Sequence, residues 1–223
     1  MVNNRKSLRI YFVIAFLIPI ATTILVTLIN GFPTGLVTNQ IDVNAIIVLL
    51  AMVHAPTIAA MIAAYSEEGS EGIKNLFRQL KYWRFATKWY LRALLIFPLL
   101  ILASLFLMSL FSSSFTPNLF LSVLAFGTLF SALWEEIGWT GYATPRMLNR
   151  FRPLKTALLL GIIHTFWHLV ADYWGSSIFY KDLYLYVFHF LLWMVGLTVL
   201  RILIIWIYVH TNSLVLGWLT HFS

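Results

Sequence analysis

Trp134-Glu135-Glu136-Ile137-Gly138-Trp139-Thr140-Gly141 puts two adjacent carboxylates at the end of an apolar run, residues 119–133. If that run spans a membrane, each carboxylate is costly in hydrocarbon and has to face protein or water rather than lipid. What the glutamates face is therefore the question for the rest of the chain.

Composition says that lipid is the solvent. The 223 residues are 61% hydrophobic and 10% charged, against about 45–50% apolar and about 25% charged in a soluble domain. The expected fold class is all-α: a polytopic transmembrane helical bundle of about 7 or 8 spans with one interfacial amphipathic helix. It is expected as a single domain over residues 1–223, with the chemistry in a core at about 119–223. The chain has no cysteine, which excludes disulfides, Fe–S clusters, cysteine-zinc sites and palmitoylation. A net charge of +7 could suggest nucleic acid. The basic residues, however, fall in short clusters between apolar runs, where orientation signals belong, so no nucleic-acid partner is expected.

Arg5, Lys6 and Arg9 precede a first apolar stretch, residues 10–29, which Asn30-Gly31-Phe32-Pro33 ends with turn chemistry. It is too long for a signal h-region and reads as an uncleaved first span. Residues 43–65 form the second, where His54 and Pro56 suggest a local kink. In residues 66–89, Ile73, Leu76, Phe77 and Leu80 share one helical face and Lys74, Arg78, Lys81 and Arg84 lie largely on the other. That is the pattern of a helix lying on anionic lipid. Spans follow at 90–111 and 119–139, joined by the uncharged link 112–117, then at 154–173 and 183–209. Arg201 is expected near the cytoplasmic end of the sixth. The basic clusters place the N-terminus, the loops 66–89 and 140–155 and the turn near His210 on the cytoplasmic side of the cell membrane. The last apolar segment, from Asn212 to Ser223, reaches only about half of a ~30 Å core, so either this helix ends inside the bundle or, as the favoured expectation, the chain continues beyond it.

At about 100° per residue, Gly127, Thr128, Ser131, Ala132, Glu135 and Glu136 occupy one half of their helix. Leu129, Phe130, Leu133, Trp134 and Ile137 occupy the other. Small residues let another helix approach closely, and both glutamates lie on that side. An exposed carboxylate pair at a helix end would need no function. The segregation and the flanking Trp134 and Trp139 favour the interior. Residues 154–173 repeat the pattern: Ala157, Gly161, His164, Thr165, His168, Ala171 and Asp172 share a stripe, with Ile162, Ile163, Phe166, Trp167 and Val170 over the rest. His164 and His168 project together as an i, i+4 pair. In the last segment Ser213, Gly217, Thr220 and His221 share a stripe too. His189 reads as structural, His54 as a kink partner and His210 as interfacial.

Three helices thus present Glu135 and Glu136, His164 and His168, and His221 on small-residue faces. A carboxylate that takes a proton from water, beside imidazoles that steer it and stabilise negative charge, is equipment for amide hydrolysis.

At these residues the sequence resembles the CPBP family of intramembrane endopeptidases, the CAAX proteases and bacteriocin-processing enzymes also called Abi. The motif E-E-x-x-x-R resembles Glu135-Glu136-Ile137-Gly138-Trp139-Thr140, continued by Gly141-Tyr142-Ala143-Thr144-Pro145-Arg146. The motif F-x-x-x-H resembles His164-Thr165-Phe166-Trp167-His168, and H-x-x-x-N could begin at His221. The resemblance implies Glu135 as the base that activates water, Glu136 in support, His168 holding the water or shuttling its proton, and His221 helping to bind the oxyanion. Three departures stand out. Thr140 replaces the motif's arginine, leaving Arg146 as the candidate charge partner of Glu136. His164 replaces an aromatic residue and could add a ligand or a proton relay. The final asparagine would fall two residues past Ser223.

The expected function is hydrolysis of a membrane-associated peptide or a prenylated or bacteriocin-like substrate, with membrane lipid and a peptide or lipidated protein as partners. Two carboxylates and two or three histidines can also bind zinc, but a metal-free, glutamate-activated water is the preferred reading, with no cofactor. The alternatives are a proton-coupled carrier, since Glu and His chains also build proton relays, and an idle scaffold for a signalling partner.

Overall fold

The computed structural model describes residues 4–31, 43–115, 123–175 and 182–223. Among them every regular element is helical, as a chain in hydrocarbon requires: a helix satisfies its backbone groups within one segment. The order is α1 (Asn4–Asn30), α2 (Val43–Glu68), α3 (Ser70–Arg78) with a 3₁₀ turn (Gln79–Lys81), α4 (Thr87–Ser109) and a 3₁₀ turn (Ser113–Phe115). Then come α5 (Val123–Gly138), a π-helical turn (Trp139–Ala143), α6 (Thr144–Leu148), α7 (Pro153–Gly175), α8 (Leu183–Thr211) and α9 (Leu214–Phe222). Among the described residues four helices, α1, α2, α4 and α8, are long and apolar enough to cross a membrane. The expected fourth and fifth spans correspond to α5 and α7. Phe32 and Pro33 of the first turn, Thr116 and Pro117 of the link, and the side chains of Val170, Ala171 and Asp172 lie outside the described residues.

Packing runs α1 on α2, α2 on α5 and α7 on α8, while α9 sits against α4, α5 and α8. One core joins Tyr11 of α1, Met52 and a run of α2 alanines, Ile137, Trp139, Tyr142 and Trp167. α2 remains one helix across Pro56. Its alanine face admits α5 so closely that a Cβ on Gly138 would land on the Pro56 carbonyl, and Thr57 Oγ1 donates to the Trp134 carbonyl beside it.

Gly161 has the same use between α7 and α8. A Cβ there would lie 2.7 Å from Thr198 Cα and 2.8 Å from its Oγ1. Gly161→Ala is therefore expected to push α7 off α8 and destabilise the protein by about 1–3 kcal/mol, read as a lower unfolding midpoint in detergent. An unchanged midpoint would show that the two helices are not held this tightly.

Two face assignments change. Gly127 and Thr128 are exposed, whereas Ile137 and Trp167, expected on the outer faces, are buried. Trp167 Nε1 donates to the Ala15 carbonyl of α1 at 3.0 Å. A wheel gives the angle of a side chain but not how far along the helix a neighbour extends. The amphipathic segment also does more than lie on lipid: Leu76 belongs to the core, with Phe77 and Leu80 packed against it. Gln79 Nε2 donates to the Gly141 carbonyl at 3.0 Å, tying this segment to the turn that follows the glutamates.

Candidate active site

Glu135 and Glu136 occupy the last turn of α5, where the helix widens into the buried π-helical turn Trp139–Ala143. Such bulges change which side chains share a face and recur at functional sites. Glu135 is 5% exposed and Glu136 is fully buried. α7 brings His164, also buried, and His168 one turn later. α9 brings His221, after Ser213 caps its N-terminus by accepting from the Leu216 N–H. The structure brings Glu135, Glu136, His164, His168 and His221 together in one cluster.

The two carboxylates have different surroundings. Glu136 accepts from both terminal nitrogens of Arg201, Nη1 to Oε2 at 3.0 Å and Nη2 to Oε1 at 2.9 Å. It also accepts from His221 Nδ1 at 2.7 Å and from the Thr140 hydroxyl. A carboxylate so ringed by donors is held in place as an anion. Among the described residues Glu135 has one hydrogen bond of this kind, accepted by Oε2 from His164 Nε2 at 3.2 Å. His168 Nε2 and His221 Nε2 stand 3.9 and 4.0 Å from the same oxygen. Three imidazole nitrogens therefore converge on Glu135 Oε2, one in direct contact and two at a remove.

Aromatic rings brace the cluster. Trp139 lies 5.1 Å from the His164 ring, Trp167 stacks on His164 at 5.7 Å, and the His164 and His168 rings are 4.7 Å apart. Trp193 of α8 closes the far side of His168 at 5.2 Å.

The expected partner of Glu136 needs correction. Arg146 does not reach it. It pairs instead with Glu67 at the end of α2, lies over the Tyr142 ring and donates to the Tyr142 carbonyl. The charge partner is Arg201 of α8, 1% exposed and inside the bundle. The physical reason is that a fully buried carboxylate has to be paired by whatever cation the fold brings beside it, regardless of helix. A lone arginine amid an apolar run was the available signal. Thr140, at the motif's arginine position, contributes a hydroxyl instead. Thr140→Val is expected to weaken the protein by about 1.5–3 kcal/mol, the range for a hydrogen bond to a charged group, with the Arg201 pairing left intact. Equal unfolding midpoints would show the hydroxyl to be idle.

Glu135, His164 and His168 each offer a ligand atom, and these atoms lie within 4.8 Å of one another. To bind zinc at about 2.0–2.2 Å, His164 would have to present a lone pair at Nε2 and carry its proton on Nδ1. Nδ1 is 3.1 Å from Arg201 Nη2, a group that only donates, so donor would face donor. In this arrangement zinc at His164 Nε2 is disfavoured.

Residues 116–223 match the Rce1-like family, described as type II CAAX prenyl endopeptidase, Rce1-like. The chain is also similar to CAAX prenyl protease 2 of Methanococcus maripaludis, 30% identical over 113 residues. That alignment takes in 50% of this chain and 40% of the relative's length.

Proposed function

We propose that this chain, whose residues 116–223 match the Rce1-like family, is an intramembrane endopeptidase that cleaves a prenylated peptide substrate with a glutamate-activated water. The observation that carries the reading is the inequality of the two glutamates: Glu136 is consumed by Arg201, His221 and Thr140, while Glu135 keeps acceptor capacity in a pocket of imidazoles.

Spacings of 3.9 and 4.0 Å from Glu135 Oε2 to His168 and His221 are too long for direct hydrogen bonds and suit one bridging water. Glu135 takes a proton from that water as its oxygen attacks the peptide carbonyl carbon, and the proton passes to the departing amine. His221 Nδ1 faces Glu136 at 2.7 Å; with the proton on that nitrogen, a neutral ring offers a lone pair at Nε2. That suits it to orient the water rather than to bind the oxyanion. His168, free of such a tie on either nitrogen among the described residues, is the better donor to the developing oxyanion.

The test uses purified protein in liposomes with a farnesylated peptide ending in a CAAX sequence, and mass spectrometry to detect the released C-terminal peptide. Release that depends on Glu135 supports the reading. No release by folded protein, or proton-driven solute uptake into the same liposomes, would overturn it.

A further inference from the structure

We propose that Arg201 is a positioning residue that holds His164 with its proton on Nε2, so that His164 donates to Glu135 and fixes the orientation of its carboxylate. Arginine has five donors and no acceptor. With Nη2 at 3.1 Å from His164 Nδ1, that ring nitrogen must supply the lone pair, and a neutral imidazole then carries its proton on Nε2. Nε2 is the atom 3.2 Å from Glu135 Oε2. The ring cannot swing away, because Trp139, Trp167 and His168 pack around it.

The result is a chain of contacts, Glu136 to Arg201 to His164 to Glu135, that runs between neighbouring carboxylates through two other helices. It joins two departures from the family's motifs into one device. Thr140 stands in the arginine's place and His164 in an aromatic residue's place. Arg201 both supplies the missing cation to Glu136 and gives His164 the partner that a buried histidine needs. An arginine on the motif helix could satisfy Glu136 with no consequence for residue 164. Arg201, reaching in from α8, does both.

The inference concerns the same site as the proteolytic reading, and only its kinetic arm depends on that reading. For the other arm, protein labelled with nitrogen-15 in its histidines is studied by NMR in detergent micelles, with the His164 signals assigned through His164→Gln. The wild type is expected to show the Nε2-protonated form of His164 alone, and Arg201→Met to populate the Nδ1-protonated form. In the cleavage assay Arg201→Met is expected to lower kcat by about 10²–10³-fold, less than the about 10⁴-fold that the wrong tautomer of the base itself costs a serine protease, with KM within about threefold. Should Arg201→Met not fold, Glu136→Gln/Arg201→Met, which leaves no buried charge unpaired, takes its place. A wild-type His164 protonated on Nδ1, or a tautomer unmoved by loss of Arg201, would overturn the proposal whether or not the protein cleaves peptides.

Discussion

Glu135→Gln is expected to lower cleavage of a farnesylated peptide by about 10³-fold or more, at the upper end of what a positioned base contributes. The protein is expected to unfold near the wild-type midpoint. The amide keeps an oxygen for the His164 Nε2–H at 3.2 Å, so the local hydrogen bond survives and only the proton acceptor is lost. Glu135 makes no ion pair with Arg201, whose terminal nitrogens go to Glu136 and His164. The substitution therefore strands no buried charge. Full cleavage by Glu135→Gln would remove the glutamate-base mechanism. A loss of activity together with a large fall in stability would place Glu135 among the residues that hold the fold.

Glu136 and Arg201 should respond in the opposite way. Both are buried almost completely, so removing either leaves the other charge unpaired. Glu136→Gln and Arg201→Met are each expected to destabilise the protein by about 3–5 kcal/mol, measured by unfolding in detergent. The double variant removes both charges and is expected to cost well under the sum, with a coupling energy within the range of about 0.5–3 kcal/mol seen for groups in contact. Additive losses would mean that the two side chains do not act as a pair. His221 and Thr140 also donate to Glu136, so Glu136→Gln should loosen α9 against α5 as well, whereas Arg201→Met leaves those two contacts in place.

Most of the cluster could be read from residue spacing, since the signals were local. Adjacent carboxylates at the end of an apolar helix, a histidine pair one turn apart and a histidine on a small-residue stripe each announce a polar face inside a bundle. Arg201 and Arg146 were harder. One arginine is isolated in an apolar run and the other sits six residues past the motif's threonine, near the expected arginine position. Linear proximity favoured Arg146 as the partner of Glu136. The fold gave Arg146 to Glu67 and delivered Arg201 from α8.

Sequence by itself determined that this protein is helical and built for lipid, and that acids and histidines of its second half share the inner faces of their helices. These follow from composition and from helical periodicity, which are properties of one segment at a time. The tertiary structure alone decided which cation neutralises Glu136, which glutamate remains available, and which nitrogen of His164 faces Glu135. Each of those depends on distances between helices far apart in the chain, set by close approaches such as Gly138 on Pro56 and Gly161 on Thr198. The costly pair of carboxylates is tolerated because one is neutralised from α8 and the other is kept for the imidazoles.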